Sequence, residues 1–222
     1  MNSCCIEKQF DKLRVQVYQT RDEMGKAAAS TVAAKVKELI EQKGEVRIVF
    51  ASAPSQSDFL KYLCKEPGID WSKATVFHLD EYMGASIEDE YSFAKFIKDY
   101  VVDKVNPGKV FYMNGKNPDI EAECERYSKL ISEKPIDIVC LGIGENGHIA
   151  FNETHEADFN EPKLVKKISL DEKCRNQQYH DFGFASMDDV PRFAITMTVP
   201  AITGADYWYC IVPTDRKAEA VK

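Results

Sequence analysis

Residues 136–153 read IDIVCLGIGENGHIAFNE and join an apolar run to a polar loop that is rich in glycine. The apolar part, residues 136–143, has the length of a buried strand and is far too short to cross a bilayer. In open α/β sheets, ligands bind in the crevice beyond the carboxyl ends of the strands. The segment therefore predicts a buried parallel strand that delivers a polar loop to a ligand site.

Five other apolar runs, rich in β-branched residues, indicate further strands. They are VRIVFA from Val46, TVFHL from Thr75, LVKKISL from Leu164, FAITMTV from Phe193 and YWYCIV from Tyr207. The stretches between them predict helices over residues 24–40, from Ser57 onward, over 88–105 and over 119–131. This alternation predicts an α/β fold with a mainly parallel sheet and helices on both faces. No linker divides the chain, so we expect a single domain over residues 1–222.

Composition and charge exclude several classes of protein. The 222 residues are 44% hydrophobic and 29% charged, which rules out collagen-like and disordered chains. With 36 acidic against 29 basic residues the net charge is −7, so we expect no nucleic-acid partner. The first residues lack the apolar core of a signal peptide, and no apolar run has the length of a membrane span. We therefore expect a cytoplasmic protein with no membrane partner.

The seven cysteines include no CxxC pair and are too dilute for a disulfide framework. Cysteines in apolar surroundings, such as Cys64, Cys140 and Cys210, more often act as small buried hydrophobic residues than as nucleophiles or ligands. The sequence therefore predicts no metal site.

A hydroxyl-rich turn follows VRIVFA and leads into a predicted helix. Free N–H groups at a helix start favour an anion such as phosphate. An ordinary helix start is the alternative, because serine is a common helix cap. The residues of this turn are Ser52, Ala53, Pro54, Ser55 and Gln56.

Two carboxylates, Asp80 and Glu81, follow TVFHL. Adjacent residues on a strand end point to opposite sides, so one of the pair is placed to face a cleft while the other braces the loop. A carboxylate partly removed from water has a raised pKa and can serve as a general base. The alternative is a solvated strand end with a turn at Gly84.

The three glycines of residues 142–147 spell GxGxxG. A dinucleotide site would require this turn to open a helix, but a polar stretch follows, so we favour a tight loop that presents Asn146, His148 and Glu153 together. A neutral imidazole beside a carboxylate or amide is a proton shuttle near pH 7, because its ordinary pKa is about 6.5. The loop therefore predicts an acid/base site.

Four motifs together are similar to those of one family: FHLDEYMG from Phe77, FYMNG from Phe111, LGIGENGHIAFNE from Leu141 and VPTDRKAEA from Val212. From about Asp22 to the last residue, the chain resembles glucosamine-6-phosphate deaminase, also called glucosamine-6-phosphate isomerase. Related 6-phosphogluconolactonases share the fold and the glycine and histidine core but lack the acid supplied here by Glu153, which favours the deaminase branch. The resemblance implies a Rossmann-like three-layer sandwich, a small phosphosugar substrate, no metal and no organic cofactor.

The resemblance implies a reaction and a role for each polar residue. Glucosamine-6-phosphate, or galactosamine-6-phosphate, and water would give a ketohexose-6-phosphate and ammonia, by a hydrolase that is also an aldose–ketose isomerase. Asp80 corresponds to the base that moves a proton between C2 and C1 of the open-chain sugar. His148 corresponds to the acid/base that opens the ring. Glu153 corresponds to the carboxylate that orients and charges that histidine, and Asn146 to a hydrogen-bonding member of the same relay.

The resemblance also implies which residues bind the phosphosugar. Lys217 matches a lysine that holds the phosphate. The other candidates lie in the three loops already described: Ser52, Ala53, Ser55, Gln56, Glu81, Gly144 and Gly147. Two departures leave the identity of the sugar open, because Pro54 removes a backbone donor from the phosphate loop and Gln178 stands where the family has an arginine. We hypothesise that Arg175, three residues upstream on roughly the same helical face, binds the phosphate instead.

Two other functions stay open. A 6-phosphogluconolactonase-like hydrolase would use His148 to activate water and would not need Glu153. A phosphosugar sensor without turnover would have no reason to keep Asp80 beside these residues. We also expect a homo-oligomer. Residues 214–222 look like the first turns of a helix capped by Asp215, so we expect the last helix and strand of the fold to be missing.

Overall fold

Strands and helices alternate through residues 4–222, the part of the chain that the computed structural model describes. The strands are β1 (Ile6–Phe10), β2 (Leu13–Val17), β3 (Val46–Phe50), β4 (Ala74–His78), β5 (Asp80–Tyr82), β6 (Lys109–Val110), β7 (Ile138–Leu141), β8 (Val165–Ser169), β9 (Phe193–Met197) and β10 (Tyr207–Cys210). The helices are α1 (Arg21–Lys43), α2 (Ser57–Leu63), α3 (Phe93–Ile97), α4 (Asp103–Val105), α5 (Ile120–Ser132), α6 (Glu172–Phe182), α7 (Val199–Thr203) and α8 (Ala218–Val221). A π-helical turn, Lys98–Val102, joins α3 to α4, and 3-10 turns lie at Pro54–Gln56, Trp71–Lys73 and Asp215–Lys217.

Five parallel strands form the central sheet in the order β10-β7-β3-β4-β6. Alternate residues of β3 pack into two different hydrophobic cores, one on each face of the sheet. Ile48 and Phe50 pack with α1 and α2, whereas Val49 packs with α5 and α7. Because side chains alternate across a strand, helices cover both faces of the sheet and make three layers. The predicted α/β fold with a parallel sheet is confirmed.

A second sheet is antiparallel and has the order β5-β9-β8. The predicted strands from Leu164 and from Phe193 are confirmed as β8 and β9, but they form this sheet and do not extend the parallel one. Its register pairs Asp80 with Thr196, which holds β5 directly after β4 at the carboxyl edge of the central sheet. The sequence patterns did not indicate β5, β6 or the exposed antiparallel hairpin of β1 and β2.

Capping residues explain where the helices begin and end. Thr20 and Glu23 form a reciprocal capping box at the start of α1, and Gly44 ends it in a left-handed conformation. The helix predicted from residue 88 in fact begins later, because the Ser92 hydroxyl accepts a hydrogen bond from Lys95 N and caps α3. The preceding acidic run lies in turns, where an Asp89 carboxylate oxygen accepts from Ser86 N at 2.8 Å.

The last described residues form a 3-10 turn followed by α8. Thr214, with a φ of +72°, precedes the turn, and Asp215 is its first residue. The expectation that Asp215 caps a helix is therefore wrong. Of the helices described, none combines the length and apolarity that a bilayer crossing needs.

Candidate active site

The candidate active site is a cleft at the carboxyl edge of the central sheet, where loops that follow β3, β4, β7 and β10 meet. Several residues singled out from the sequence line it: Ser52, Ala53, Ser55, Asp80, Gly144, His148, Gln178 and Lys217. Asn146 and Glu153 contact His148 from behind. The remaining candidates do not line the cleft: Gln56, Glu81, Gly147 and Arg175.

The turn after β3 presents hydroxyl groups to the cleft. Ser52 is buried, and its Oγ has no hydrogen-bond partner within residues 4–222. Leaving a buried polar atom unpaired costs about 1–3 kcal/mol, so a ligand that bonds to this oxygen would remove that penalty. Gln56 is buried behind the turn, where its Nε2 donates to the Ile211 carbonyl at 3.0 Å. Contrary to expectation, Gln56 therefore ties two loops together and is not placed to touch a substrate.

Arg21, the first residue of α1, also lines the cleft. Its Nε donates to Asp58 Oδ2 at 2.8 Å, and its Nη2 donates to the Pro54 carbonyl at 3.1 Å. The side chain thus fixes the turn after β3 and brings a positive charge beside it. No sequence signal marks this residue, because it is a single basic side chain at a helix start, where acidic residues are the favoured ones.

The turn after β10 contributes two basic side chains to the cleft. Burial lowers the pKa of the Lys217 ammonium, and the carboxylates of Glu145 and Asp181 oppose part of that shift. Arg216 Nη2 lies 2.5 Å from Glu145 Oε1, and its Nη1 lies 4.0 Å from Asp181 Oδ1. No sequence pattern identified Glu145, Asp181 or Arg216, which lie near Lys217 and all line the cleft. An anion that enters the cleft therefore meets both cations and carboxylates.

A hydrogen-bonded relay lies in the glycine-rich loop after β7. Asn146 Oδ1 accepts from His148 Nδ1 at 2.5 Å, and Asn146 Nδ2 donates to Glu153 Oε2 at 2.6 Å. Glu153 is fully buried, and its Oε1 lies 3.3 Å from His148 Nδ1. An amide oxygen can only accept, so Nδ1 carries the proton of the neutral imidazole. Nε2 is left as the basic nitrogen.

Two glycines shape this loop. A Cβ on Gly144 would lie 2.2 Å from Cε1 of His148, so the imidazole ring can occupy its position only because that side chain is absent. Gly147 has a φ of +90°, a conformation that other residues rarely adopt. After the loop the chain forms an isolated bridge between Ile149 and Asn152, where a dinucleotide site would need a helix. Gly144 therefore makes room for His148, and Gly147 provides the backbone conformation that the loop needs.

Burial shifts the pKa values of the two candidate acid/base groups in opposite directions. It lowers the pKa of His148, and the nearby Glu153 carboxylate opposes part of that shift. It raises the pKa of Asp80 well above its usual value, with a further contribution from the charge of Glu81. Removal from water disfavours the charged form of each group. His148 is consequently neutral near pH 7, and Asp80 has the increased proton affinity that suits a base.

Glu81 is directed away from the cleft and caps α3. Its carboxylate accepts from Ser92 Oγ and Ala94 N, both at 2.8 Å, and from Phe93 N at 3.1 Å. Burial raises its pKa to about 7 in spite of these hydrogen bonds. The geometry contradicts the expectation that Glu81 binds substrate, because alternation along β5 turns only Asp80 towards the cleft.

His78 supports the backbone of Asp80. Its Nε2 accepts from Met113 N at 2.9 Å, so its Nδ1 carries the proton and donates to the Asp80 carbonyl at 2.9 Å. Burial lowers the pKa of His78 to about 4. His78 is therefore a neutral structural residue that fixes the position of the strand end.

Helix α6 lines the cleft with side chains other than Arg175, the residue that we hypothesised to bind phosphate. Gln178 lines the cleft, and its Oε1 accepts from the Tyr82 hydroxyl at 2.6 Å. Arg175 instead donates from Nη2 to the Val190 carbonyl at 3.0 Å and to the Met187 carbonyl. The hypothesis that Arg175 binds phosphate is contradicted, because carbonyl groups of the loop after α6 hold its guanidinium. Two other side chains of α6 line the cleft: Gln177 and Asp181.

The fold and the cleft define an α/β protein in which a hydroxyl-bearing turn, a buried carboxylate and a histidine relay share one sheet edge. This arrangement fits an acid/base site for a small anionic ligand. The family model described as glucosamine-6-phosphate isomerases/6-phosphogluconolactonase matches residues 19–222. The chain belongs to this family.

Individual relatives lie in both branches of the family. Two proteins named glucosamine-6-phosphate deaminase, from Bacillus cereus (strain B4264) and Bacillus thuringiensis (strain Al Hakam), are each 30% identical over 210 residues, which are 95% of this chain and 76% of theirs. The structure of a monomeric glucosamine-6-phosphate deaminase matches with a TM-score of 0.83 at 31% identity and covers 91% of this chain and 83% of that one. A 6-phosphogluconolactonase from Thermotoga maritima shares the fold, with a TM-score of 0.75 at 20% identity over 89% of this chain and 84% of that one.

Proposed function

We propose that this protein converts a 2-amino-2-deoxyhexose 6-phosphate, either glucosamine-6-phosphate or galactosamine-6-phosphate, and water into a ketohexose 6-phosphate and ammonia. The observation that carries the proposal is the position of the Asp80 carboxylate in the same cleft as the relay of His148, Asn146 and Glu153. Such a reaction needs one base that reaches two adjacent carbons and a separate acid/base at the ring oxygen. The names of the relatives support this class of substrate.

Ring opening is the step that we assign to His148. Nε2 of the neutral ring accepts the proton of the anomeric hydroxyl, the bond between C1 and the ring oxygen breaks, and the imidazolium gives that proton to the ring oxygen. The product is the open-chain aldehyde. Asn146 keeps the other proton on Nδ1, and the negative charge of Glu153 stabilises the imidazolium that forms during the transfer. Glu153 and Asn146 are positioning residues in this scheme.

Isomerisation and deamination follow at C2 and C1, with Asp80 as the base. Its carboxylate removes the C2 proton, the electron pair forms the C1–C2 double bond, and the aldehyde oxygen gains a proton to give an enolamine. Return of the proton to C1 moves the double bond to C2 and nitrogen. Water then adds to C2 and ammonia leaves, which gives the ketone. This hydrolytic last step is part of the proposal.

The phosphate group is the part of the substrate that the rest of the cleft recognises. The unpartnered Ser52 hydroxyl and the Ser55 hydroxyl offer hydrogen bonds, and Lys217 offers a charge. Gln178 stands where the family has an arginine, and the guanidinium groups of this cleft come instead from Arg21 and Arg216. Guanidinium groups bind phosphate with paired hydrogen bonds, so they are suitable replacements.

Ammonia release from glucosamine-6-phosphate and from galactosamine-6-phosphate tests the proposal. The wild type should release ammonia from at least one of them. Asp80→Asn should abolish the release but still bind the sugar phosphate, because the amide cannot take the C2 proton. The matched control is Asp188→Asn, whose side chain is 94% exposed on the surface. Ammonia from neither sugar, or full activity in Asp80→Asn, would reject the proposal, and hydrolysis of 6-phosphogluconolactone would identify the lactonase alternative.

The location and the assembly of the protein belong to the same proposal. A cytoplasmic location fits an enzyme of phosphorylated sugars. The homo-oligomer stays a prediction, and one solved relative is described as monomeric. The mass of the protein in solution, measured by light scattering after gel filtration, decides between the two states.

A further inference from the structure

A cluster of potential metal ligands lies directly behind the relay. One ligand atom from each of His148, Glu153 and Cys174 falls within 4.8 Å of the other two. The histidine and the glutamate come from the loop after β7, and Cys174 comes from the first turn of α6. The proposed mechanism uses the first two residues and has no role for the thiol.

The buried carboxylate has one oxygen without a hydrogen bond. Glu153 is fully buried, its Oε2 accepts from Asn146, and its Oε1 has no hydrogen-bond partner in the described part of the chain. That oxygen lies 3.3 Å from His148 Nδ1, which is the spacing of two ligands on one tetrahedral zinc ion with bonds of about 2.0–2.1 Å. Cys174 is 1% exposed beside it. A cation placed among these atoms would satisfy the orphan oxygen.

We propose that this cluster is an inhibitory site for a thiophilic divalent cation, Zn²⁺ or Cd²⁺. The donor set of one imidazole nitrogen, one carboxylate oxygen and one thiolate is typical of zinc and excludes Mg²⁺ and Ca²⁺, which prefer oxygen. A thiolate and a carboxylate balance the charge of a divalent ion, which is needed in a buried site. Of the three ligands, His148 lines the cleft, and the other two are buried behind it.

Binding requires a defined change of protons. Metal ions bind the thiolate form of cysteine, so the metal must displace a proton from the Cys174 sulfur. It must also displace the proton from His148 Nδ1, and Nε2 takes one up from solvent, so the imidazole stays neutral. One proton is therefore released for each ion bound, and the affinity increases with pH.

The ion would switch off turnover without filling the phosphate end of the cleft. Coordination removes the hydrogen bond from His148 Nδ1 to Asn146 and places the proton on Nε2, the nitrogen that must accept one from the sugar. We expect Zn²⁺ to lower kcat with little effect on KM and a chelator to restore activity. This inhibition rests on the proposed function, whereas binding of the ion does not.

Binding is measured with Cd²⁺ through the ultraviolet charge-transfer absorption of cadmium thiolates. The adjacent Cys4 and Cys5 would bind cadmium themselves, so every protein carries Cys4→Ser and Cys5→Ser. In that background we expect one Cd²⁺ per chain with a thiolate band. Cys174→Ser should lose the band and bind at least about tenfold more weakly, and Glu153→Gln should also weaken binding. The matched control, Cys64→Ser, keeps a donor for the Tyr100 carbonyl and should leave the band intact.

The two measurements separate the possible failures. Unchanged cadmium affinity in Cys174→Ser would overturn the proposal, as would Zn²⁺ inhibition that persists in that variant. If Cys174→Ser does not fold, as judged by circular dichroism, His148→Gln replaces it and must lose affinity for the proposal to survive. A protein that binds one Cd²⁺ through Cys174 but turns over neither sugar would support the metal site and reject the proposed function.

Discussion

Arg216 and Glu145 form an ion pair, with 2.5 Å between Nη2 and Oε1, that joins the turn after β10 to the glycine-rich loop. Both residues line the cleft, and Asp181 Oδ1 lies 4.0 Å from the other terminal nitrogen of the guanidinium. A guanidinium held by carboxylates keeps a fixed orientation, and a phosphate that enters must compete for it. The ion pair therefore sets how strongly the cleft attracts its anionic ligand.

Removal of Arg216 should weaken substrate binding more than turnover. We expect Arg216→Ala to raise KM for the phosphosugar by about tenfold, because a hydrogen bond to a charged group contributes about 1.5–3 kcal/mol and the carboxylates remain to repel the phosphate. Glu145→Gln should change KM in the opposite direction. Steady-state kinetics checks both, with Arg192→Ala, whose side chain is 70% exposed, as the control. A fall in kcat at constant KM would contradict this role.

The acid side of the pH–rate profile should report the pKa of His148. Burial lowers its pKa and Glu153 partly opposes this, so the neutral ring needed for ring opening is lost only below the ordinary value of about 6.5. Glu153→Gln removes the negative charge that raises the pKa of His148. The acid limb of the kcat/KM profile should therefore move to lower pH, while the maximal rate falls. The profile of ammonia release checks this, with Asp188→Asn as the control. A limb that stays in place would show that another group titrates there.

A methyl group at Gly144 should displace the imidazole. The added Cβ would lie 2.2 Å from His148 Cε1, so the ring must move, and a shift of about 1 Å can cost about 100-fold in rate. We expect Gly144→Ala to lower kcat by about that factor and to leave the melting temperature nearly unchanged. Gly204→Ala is the control, since its Cβ would come no closer than 3.2 Å to the Pro200 carbonyl. Equal activities of the two variants would exclude this effect.

Stability should depend on the titration of Glu81. Its pKa of about 7 in the folded protein lies above the ordinary value of 4.5, so the folded state binds this proton more tightly. The resulting stabilisation is complete below pH 4.5 and is lost as the pH rises towards 7. Glu81→Gln retains an acceptor for α3 and does not titrate, so its melting temperature should fall less than that of the wild type across this interval. Parallel curves would contradict the prediction. The charge of Glu81 also contributes to the raised pKa of Asp80, so Glu81→Gln removes that contribution as well.

The relay was predictable because its members are close in sequence. Asn146, His148 and Glu153 lie in one loop, and local geometry brings them together whatever the rest of the fold does. Arg21 and Arg216 could not be found in the same way, because their positions depend on which distant loops meet at the sheet edge. The hypothesis that Arg175 binds phosphate was wrong for a related reason. Helical spacing does not determine the direction of its side chain, which carbonyl groups of the loop after α6 hold in place.

The fold was predictable where burial on both faces gives an apolar run, which is continuous in β7 and interrupted by Arg47 in β3. The short strands β5 and β6 carry no such pattern, since they contain three and two residues. The start of α3 depends on the Ser92 cap and on the hydrogen bonds that Glu81 accepts from α3, which is a tertiary contact that no local pattern contains. Apolar pattern thus determines the core elements, and tertiary hydrogen bonds determine the edges of the site.

The lining of the cleft extends from Arg21 to Lys217, and Lys217 is held there by a turn that follows β10. That strand reaches its place only by pairing in parallel with β7, some seventy positions earlier in the chain, and contacts of such sequence separation form slowly. A nascent polypeptide on the ribosome therefore carries the whole histidine relay well before it gains the lysine. The newly made protein should remain inert towards sugar phosphates until β10 and the following turn have emerged and docked.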